Sequence, residues 1–160
     1  MLNKAEILLR PYKKDDLIEL ADLFFNTVHN IACKDYNEKE LNAWASGNID
    51  LQDWDHTLSG NYSIVAQFHD KIVGFGDING NYLNRLYVHE EYQGMGIATV
   101  ITEDLEDYAL NHGNKLIEVH ASITAKPYFE HRNYSVVKEQ QVVRNGIAIT
   151  NYVMSKNIFH

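Results

Sequence analysis

The chain has 160 residues and a mass of 18.4 kDa, and 45% of its residues are hydrophobic. This size and apolar content suit one folded domain and exclude an intrinsically disordered chain. There are 22 acidic and 14 basic residues, and the net charge of −8 opposes sequence-independent attraction to nucleic acid or anionic lipid. We therefore expect a single domain over residues 1–160 with no nucleic-acid partner.

Membrane insertion, secretion and metal chemistry are also disfavoured. No apolar run approaches the roughly 20 residues that span a bilayer, and the first ten residues lack the pattern of a signal peptide. The one cysteine, Cys33, cannot form an internal disulfide, and the eight histidines are scattered with no HExxH pairing. We expect a cytoplasmic protein with no metal and no membrane partner.

The first part of the chain predicts a strand followed by a long helix. The apolar run 6–10 is typical of a strand that ends at Pro11. Asp15 or Asp16 then caps a helix that continues to about Asn30, because apolar residues recur at helical spacing. These residues are Leu17, Leu20, Leu23 and Phe24.

Two shorter helices are predicted next. Asn37, with Glu40 three residues later, has the pattern of a capping box and begins a helix that runs through Trp44. A third helix is predicted over 51–58. The connections between these helices are polar and irregular.

From residue 62 the pattern changes to β-branched and aromatic runs. Strands are predicted over 62–68, 71–78 and 82–88, with Asn79-Gly80-Asn81 between the last two. Asn-Gly is a strong signal for a two-residue hairpin turn, because both residues tolerate positive φ. We expect three consecutive antiparallel strands.

The second half alternates helices and strands. An amphipathic helix is predicted over 96–112, ending before Gly113, and is followed by a strand over 115–121. A short helix over 124–132 and a closing hairpin, 134–143 and 147–155 around Asn145-Gly146, complete the chain. The predicted order is β-α-α-α-β-β-β-α-β-α-β-β, an α/β (α+β) domain.

The segment 86–98, LYVHEEYQGMGIA, carries the clearest chemical signal. A strand ends, a turn contains Gly94 and Gly96, and a long helix begins at once. The first amides of a helix lack internal acceptors and carry partial positive charge, so this junction suits a phosphate group. No Walker loop is present, and Thr99 replaces the third glycine of a dinucleotide fingerprint. There are two alternatives: the turn only begins the helix, or it binds another phosphorylated ligand.

With its surroundings, Gln93-x-x-Gly96-x-Ala98 resembles the acetyl-CoA signature of the GNAT acetyltransferase superfamily, [Arg/Gln]-x-x-Gly-x-[Gly/Ala]. A second family motif, an alanine followed by an aromatic pair, an acid and Gly-Phe, resembles the segment from Ala125 to Tyr134. The order of elements also matches the family over almost the whole chain. The resemblance implies a central, mostly antiparallel mixed sheet that is splayed at the cofactor cleft and flanked by helices.

The resemblance also implies the cofactor contacts. Main-chain groups of Leu86, Tyr87 and Val88 would pair with the pantetheine arm of acetyl-CoA. Ser122 stands where many members have asparagine, and Phe129 would flank the thioester. The pyrophosphate would be held by the amides of Gln93, Gly94, Met95, Gly96, Ile97, Ala98 and Thr99.

One departure from the family pattern concerns the aromatic pair. Many members have a tyrosine at its second position that protonates the departing thiolate, and this chain has Phe129 there, with Tyr128 one residue earlier. Successive helical residues point about 100° apart, so Tyr128 is a candidate acid whose direction differs. Packing alone is its alternative role. Asn133 replaces the family's glycine, a tolerable change because asparagine accepts positive φ.

Candidate general bases lie on the predicted central strands. They are Asp77, Glu118 and His120, and the last two share one face of a strand because alternate residues point the same way. Histidine is the side chain that titrates near neutral pH, which suits a base. A structural imidazole and solvated or hydrogen-bonded carboxylates are the alternatives.

The early helices cover the acceptor site in the family, which here implicates His29, Tyr36 and Trp44. These aromatic residues either line an amine pocket or form ordinary core at helical spacing. An acidic surface with aromatic walls favours a cationic small molecule.

These features predict an acetyl-CoA-dependent N-acetyltransferase that acts on a primary amine of a small molecule or peptide by direct attack in a ternary complex. Cys33 has no base at fixed spacing, which disfavours an acetyl-cysteine intermediate. The alternative is an acyl-CoA-binding sensor or regulatory module with little catalysis, which Phe129 suggests. A monomer or a homodimer is expected, since the final hairpin offers an edge for pairing.

Overall fold

The computed structural model describes residues 3–159, and its centre is one mixed sheet. The strands are β1 (Ile7–Pro11), β2 (Tyr62–Phe68), β3 (Lys71–Asn79), β4 (Tyr82–Val88), β5 (Leu116–Ser122), β6 (Ser135–Arg144) and β7 (Ile147–Asn157). Their order across the sheet is β1-β2-β3-β4-β5-β7-β6. Neighbours are antiparallel except β4 and β5, which are parallel. The predicted mixed, mostly antiparallel sheet is confirmed.

Helices cover both faces of the sheet. They are α1 (Leu17–Ile31), α2 (Glu38–Trp44), α3 (Leu51–Gly60), α4 (Ile97–Asn111) and α5 (Lys126–His131). Successive residues of β2 point to opposite faces. Ile64 belongs to the apolar cluster that contains residues of α4, whereas Val65 belongs to the cluster that contains residues of α1 and α3. None of the helices within residues 3–159 combines the length and apolar content needed to cross a membrane.

The predicted elements are all present in the predicted order, with ends that differ by at most two residues. The capping box of α2 is confirmed: the Asn37 side chain accepts from the Glu40 amide, and the Glu40 carboxylate accepts from the Asn37 amide, each at 2.9 Å. The side-chain cap predicted for α1 is wrong. Asp16 occupies the N-cap position but makes no capping bond, because its carboxylate is paired with Arg10 at 2.8 Å.

The turn between β3 and β4 is shifted by one residue from the predicted Asn-Gly turn. Asn79 pairs with Tyr82, so the two-residue loop is Gly80-Asn81. Only Gly80, with φ of 60°, has positive φ in this loop. This is the pattern of a turn with glycine at its first central position. The closing hairpin does use Asn145-Gly146, and both residues have positive φ.

Glycines on β3 let α4 approach the sheet closely. A Cβ added at Gly76 would lie 2.9 Å from the Arg85 carbonyl oxygen and 2.9 Å from Ile101 Cγ2 on α4. A Cβ added at Gly74 would lie 3.0 Å from Ile101 Cδ1. This close packing fixes the position of α4, and therefore of its first turn, against β3 and β4.

The sheet opens between its two parallel strands. β4 and β5 pair at only two positions, Tyr82 with Glu118 and Leu83 with Val119. The next residue of β4, Asn84, is an extra residue relative to β3, where the pairing shifts between Asp77 and Ile78. Such a bulge bends a strand and increases its twist. Beyond Asn84 the two strands diverge, and the predicted splay is confirmed.

Candidate functional site

A cleft of about 620 Å³ fills the gap between β4 and β5. Its walls come from β4 and the start of α4 on one side, and from β5 and α5 on the other. The helices α1 and α2 and the β6–β7 hairpin close one end. All the predicted cofactor residues line this cleft except Met95.

One edge of β4 presents its backbone to the cleft. The carbonyl oxygens of Arg85 and Tyr87 lie beside the glycines of β3, and the His89 amide donates to the Val73 carbonyl of β3 at 2.8 Å. Because backbone groups alternate in direction along an antiparallel strand, those of Leu86 and Val88 face the cleft instead.

The Val88 carbonyl is already satisfied within the protein. It accepts from Thr27 Oγ1 on α1 at 2.8 Å and from Gln93 Nε2 at 2.7 Å. The groups left to pair with a ligand are the Leu86 N–H and C=O and the Val88 N–H. A peptide-like arm laid along this edge would therefore find two donors and one acceptor.

The turn before α4 has the geometry of an anion cradle. Gly94 and Gly96 have φ of 71° and 85°, and a Cβ added at either would meet nothing within 4 Å. The first helical backbone bond runs from the Val100 amide to the Gly96 carbonyl, so the preceding amides from Gly96 to Thr99 have no partner in the helix. Free donors, partial positive charge and open space fit a pyrophosphate of coenzyme A.

α5 places an aromatic pair on the opposite wall. The Tyr128 hydroxyl lies 3.1 Å from Thr102 Oγ1 and 3.4 Å from Thr99 Oγ1, so it is held against α4. Phe129 is buried, with its ring packed edge-to-face against Tyr128 and Tyr134. Asn133 has φ of 70°, as the replacement of a glycine predicts. Both residues line the cleft, and Tyr128 supplies the one hydroxyl of the pair.

Ser122 lines the cleft at the end of β5. Its Oγ accepts from the Ala125 amide at 3.0 Å, which anchors the loop that leads into α5. The hydroxyl proton of Ser122 remains available to a ligand, since no acceptor for it is found within residues 3–159.

His120 and Glu118 form a pair on β5, as their shared strand face predicts. His120 Nε2 lies 3.3 Å from Glu118 Oε2, and Gln140 Nε2 lies 3.3 Å from His120 Nδ1. With the Gln140 amide donating to Nδ1, the Nε2–H points at the carboxylate. His120 lines the cleft, packed edge-to-face with Tyr82 at 5.0 Å, whereas Glu118 stands behind it.

Asp77 lies outside the cleft lining and is fully buried. Its Oδ2 accepts from Arg85 at 2.7 Å, from Asn61 at 2.9 Å and from Asn84 at 3.3 Å. Burial raises the pKa of Asp77, and the Arg85 charge opposes that rise. The carboxylate links β3 to the bulge on β4 and to Asn61, directly before β2. Because it does not line the cleft, it is not placed to act as the base.

The predicted acceptor residues divide into two groups. His29 lies outside the cleft lining: its Nε2 is 2.7 Å from the Ala45 carbonyl, and its ring packs on Phe25. Tyr36 and Trp44 do line the cleft, with rings packed edge-to-face at 5.4 Å. The Tyr36 hydroxyl donates to the Thr150 carbonyl and accepts from the Ile123 amide. Tyr36 therefore offers its ring, not its hydroxyl, to a ligand.

Several cleft residues were missed by sequence reasoning. Thr27, Asn84, Arg144 and Asn151 all line the cleft. Their neighbours in sequence carry no motif, because they reach the site only through the packing of α1, the bulge and the closing hairpin. Arg144 is the exception, because it directly precedes the predicted turn Asn145-Gly146, which places it at the end of the closing hairpin.

The sheet opens between two parallel strands, and a glycine turn followed by the first turn of a helix lies at the opening. This arrangement is the one expected of an acyltransferase that uses a coenzyme A thioester. The chain belongs to the GNAT acetyltransferase family, since a model described as an acetyltransferase (GNAT) domain matches residues 32–156. Both the fold and the family expected from the 93–98 motif are confirmed.

Individual relatives agree with this assignment. The uncharacterized N-acetyltransferase YafP of Escherichia coli K12 is 32% identical over 148 residues, which are 92% of this chain and 94% of that protein. A crystal structure of a GCN5-related N-acetyltransferase from Rhodopseudomonas palustris is 30% identical, with a TM-score of 0.93 over 98% of this chain and 99% of that one. The PaiA N-acetyltransferase of Thermoplasma acidophilum, solved with coenzyme A, shares the fold at 16% identity, with a TM-score of 0.76 over 94% of this chain and 98% of that one.

Proposed function

We propose that this acetyltransferase moves the acetyl group of acetyl-CoA to a primary amine of a small molecule or peptide by direct attack in a ternary complex. The observation that carries the proposal is the continuity of the site. The cleft-facing backbone of Leu86 and Val88 leads along β4 to the free amides of Gly96–Thr99. An extended arm ending in a pyrophosphate matches this order of donors and acceptors.

Acetyl transfer forms a C–N bond, breaks the C–S bond, takes a proton from the amine and gives one to the sulfur. Bound acetyl-CoA supplies the acetyl group as a thioester. An amine with a pKa of about 10.4 is neutral in roughly one molecule per thousand at neutral pH, so a group that accepts its proton raises the rate. We assign this role to His120, which lines the cleft. Because Glu118 holds its Nε2–H, the proton goes to Nδ1, in exchange for the hydrogen bond from Gln140.

The sulfur needs a proton donor other than Phe129, which has no hydroxyl. Several hydroxyl side chains line the walls near the aromatic pair, those of Tyr128, Ser122, Thr99 and Thr124. We assign the donor role to Tyr128, because a phenol donates to a thiolate more readily than an alcohol and Thr102 fixes its hydroxyl at 3.1 Å. Comparing the loss of kcat in Tyr128→Phe with that in Ser122→Ala tests this assignment.

A second candidate function is a sensor that binds acyl-CoA without efficient transfer, and the buried Phe129 at the family's tyrosine position favours it. Thiol release from acetyl-CoA, measured with a panel of amines, separates the two. We expect at least one amine to accelerate release well above hydrolysis. Tight CoA binding with no accelerating amine would support the sensor instead.

A further inference from the structure

The part of the cleft around His120 and Tyr82 has a lining different from that of the phosphate cradle. It lies under α1, α2 and the β6–β7 hairpin, and we call it the acceptor pocket. Its walls are largely aromatic and aliphatic. The residues that define it are Tyr36, Trp44, Tyr82, Val142, Arg144 and Ile149.

The charge of the cleft is opposite to that of the whole chain. The net charge is −8, yet among the described residues no aspartate, glutamate or lysine lines the cleft. The basic side chains there are His120, His131 and Arg144. A cationic acceptor, which the acidic composition favours, would therefore meet no carboxylate in the lining of the cleft, although Glu118 lies behind His120.

Arg144 is the permanent positive charge of the acceptor pocket. Within residues 3–159 its guanidinium has no carboxylate within 4.0 Å. Its one intramolecular bond runs from Nη1 to the adjacent Val143 carbonyl at 3.4 Å, a long distance for a hydrogen bond. The planar donor fork of Arg144 is therefore free to bind a planar anion in bidentate fashion.

The hairpin aims Arg144 into the pocket. Arg144 pairs with Ile147, and Val142 pairs with Ile149, so Arg144 and Val142 share one strand face. Val142 and Ile149 line the pocket, and the tight turn Asn145-Gly146 holds the two strands in register. The charge of Arg144 also reaches Tyr82 across the pocket. Burial raises the pKa of the Tyr82 hydroxyl, Glu118 raises it further, and Arg144 lowers it.

We infer that the acceptor is a primary amine joined through an apolar spacer to a carboxylate, and that Arg144 binds this carboxylate. The aromatic and aliphatic walls take the spacer, and His120 lies at the end where the amine is acetylated. Arg144 is therefore a specificity residue of the acceptor pocket. This inference rests on the proposed function, whose failure the experiment below detects separately.

Matched acid and amide substrates test the inference. 4-(Aminomethyl)benzoate and 6-aminohexanoate are compared with 4-(aminomethyl)benzamide and 6-aminohexanamide, using thiol release to obtain kcat and KM. We expect kcat/KM for the better acid to exceed that of its amide by about 10- to 100-fold, because a charge-assisted bidentate bond is lost in the amide. Amides that react as well as their acids would overturn the inference.

Variants of Arg144 show whether this residue makes the distinction. Arg144→Gln should remove most of the acid preference by raising KM for the acid, with kcat and the amide kinetics nearly unchanged. Arg144→Lys should restore part of it, since it keeps the charge without the fork. Lys138→Gln is the matched control, because Lys138 is an exposed cation on the same strand outside the cleft. Equal losses in Arg144→Gln and Lys138→Gln would contradict a specific role.

A binding measurement keeps the inference independent of turnover. The acetylated products, 4-(acetamidomethyl)benzoate and 4-(acetamidomethyl)benzamide, are titrated calorimetrically into the CoA-saturated protein. We expect the acid to bind at least tenfold more tightly in the wild type and equally in Arg144→Gln. Equal affinities in the wild type, or binding of neither product, would overturn the inference. Absence of thiol release with every amine would instead count against the proposed function.

Discussion

The two ends of the cleft are built from different parts of the chain. The proposed cofactor end consists of backbone groups of one continuous segment, β4 through the first turn of α4, and depends on glycines that adopt positive φ. The acceptor pocket uses side chains from α2 and the segment before it, from the start of β4 and from the closing hairpin, which are far apart in sequence. A backbone site tolerates many side chains but few backbone changes, whereas a side-chain site has the opposite sensitivity.

The largest expected effect comes from breaking the backbone site. Gly96→Glu places a side chain and a negative charge at the cradle, on a residue whose φ of 85° already disfavours any Cβ. We expect CoA affinity, measured by calorimetry, to fall by at least 100-fold. Gly113→Glu is the matched control, since Gly113 has the same φ of 85° and open space around it but lies outside the cleft. Unchanged CoA binding by Gly96→Glu would show that this turn does not bind the pyrophosphate.

A side-chain change at His120, beside the acceptor pocket, should leave CoA binding intact. His120→Gln is expected to lower kcat about 100-fold, because proton transfer by a positioned side chain typically contributes that much or more. Its Kd for CoA should stay within twofold of the wild type. His29→Gln, a histidine change outside the cleft, should keep kcat near the wild-type value. Equal losses in the two variants would assign His120 a merely structural role.

A smaller effect is expected at the aromatic pair, where the two ends of the cleft meet. Tyr128→Phe removes the hydroxyl near Thr102 and Thr99 while keeping the ring that lines the wall. We expect kcat to fall about tenfold, against less than threefold for Ser122→Ala. The reverse ranking, in steady-state measurements at saturating acetyl-CoA, would transfer the donor role to Ser122.

The smallest effect on activity is expected from a change beneath the cofactor end. Gly76→Ala introduces a Cβ at 2.9 Å from both the Arg85 carbonyl oxygen and Ile101 Cγ2, which overpacks the contact between β3 and α4. We expect urea unfolding to show a loss of about 1–3 kcal/mol, with CoA affinity reduced only slightly. Gly60→Ala, where the added methyl meets nothing within 4 Å, should cost less. No difference between the two variants would contradict the close packing of α4.

The same contrast explains what could be predicted from the sequence. Strand and helix periodicity, the Asn37–Glu40 capping box and the Gln93–Ala98 motif act over a few residues, so the fold, the family and the glycine turn at the start of α4 were predictable. Asn133 at positive φ was predictable for the same reason. These features do not depend on where distant segments pack.

The acceptor end depends on tertiary placement that no local pattern carries. Asp77 was a candidate base and His29 a candidate acceptor-site residue by residue type, but in the fold Asp77 pairs with Arg85 and His29 contacts the Ala45 carbonyl. Arg144 reaches the pocket only because β6 pairs with β7 at the far edge of the sheet. The bulge at Asn84 likewise follows from strand pairing rather than from a sequence motif.

Amide hydrogen exchange, followed residue by residue with and without CoA, tests most directly that backbone groups hold the cofactor. Without ligand, the amides of Gly96–Thr99 should exchange quickly, because no group within residues 3–159 accepts from them. We expect CoA to protect these amides and the Val88 amide at least tenfold, while the strands around Arg144 change little. Unprotected amides from Gly96 to Thr99 in the CoA-saturated protein would contradict the account.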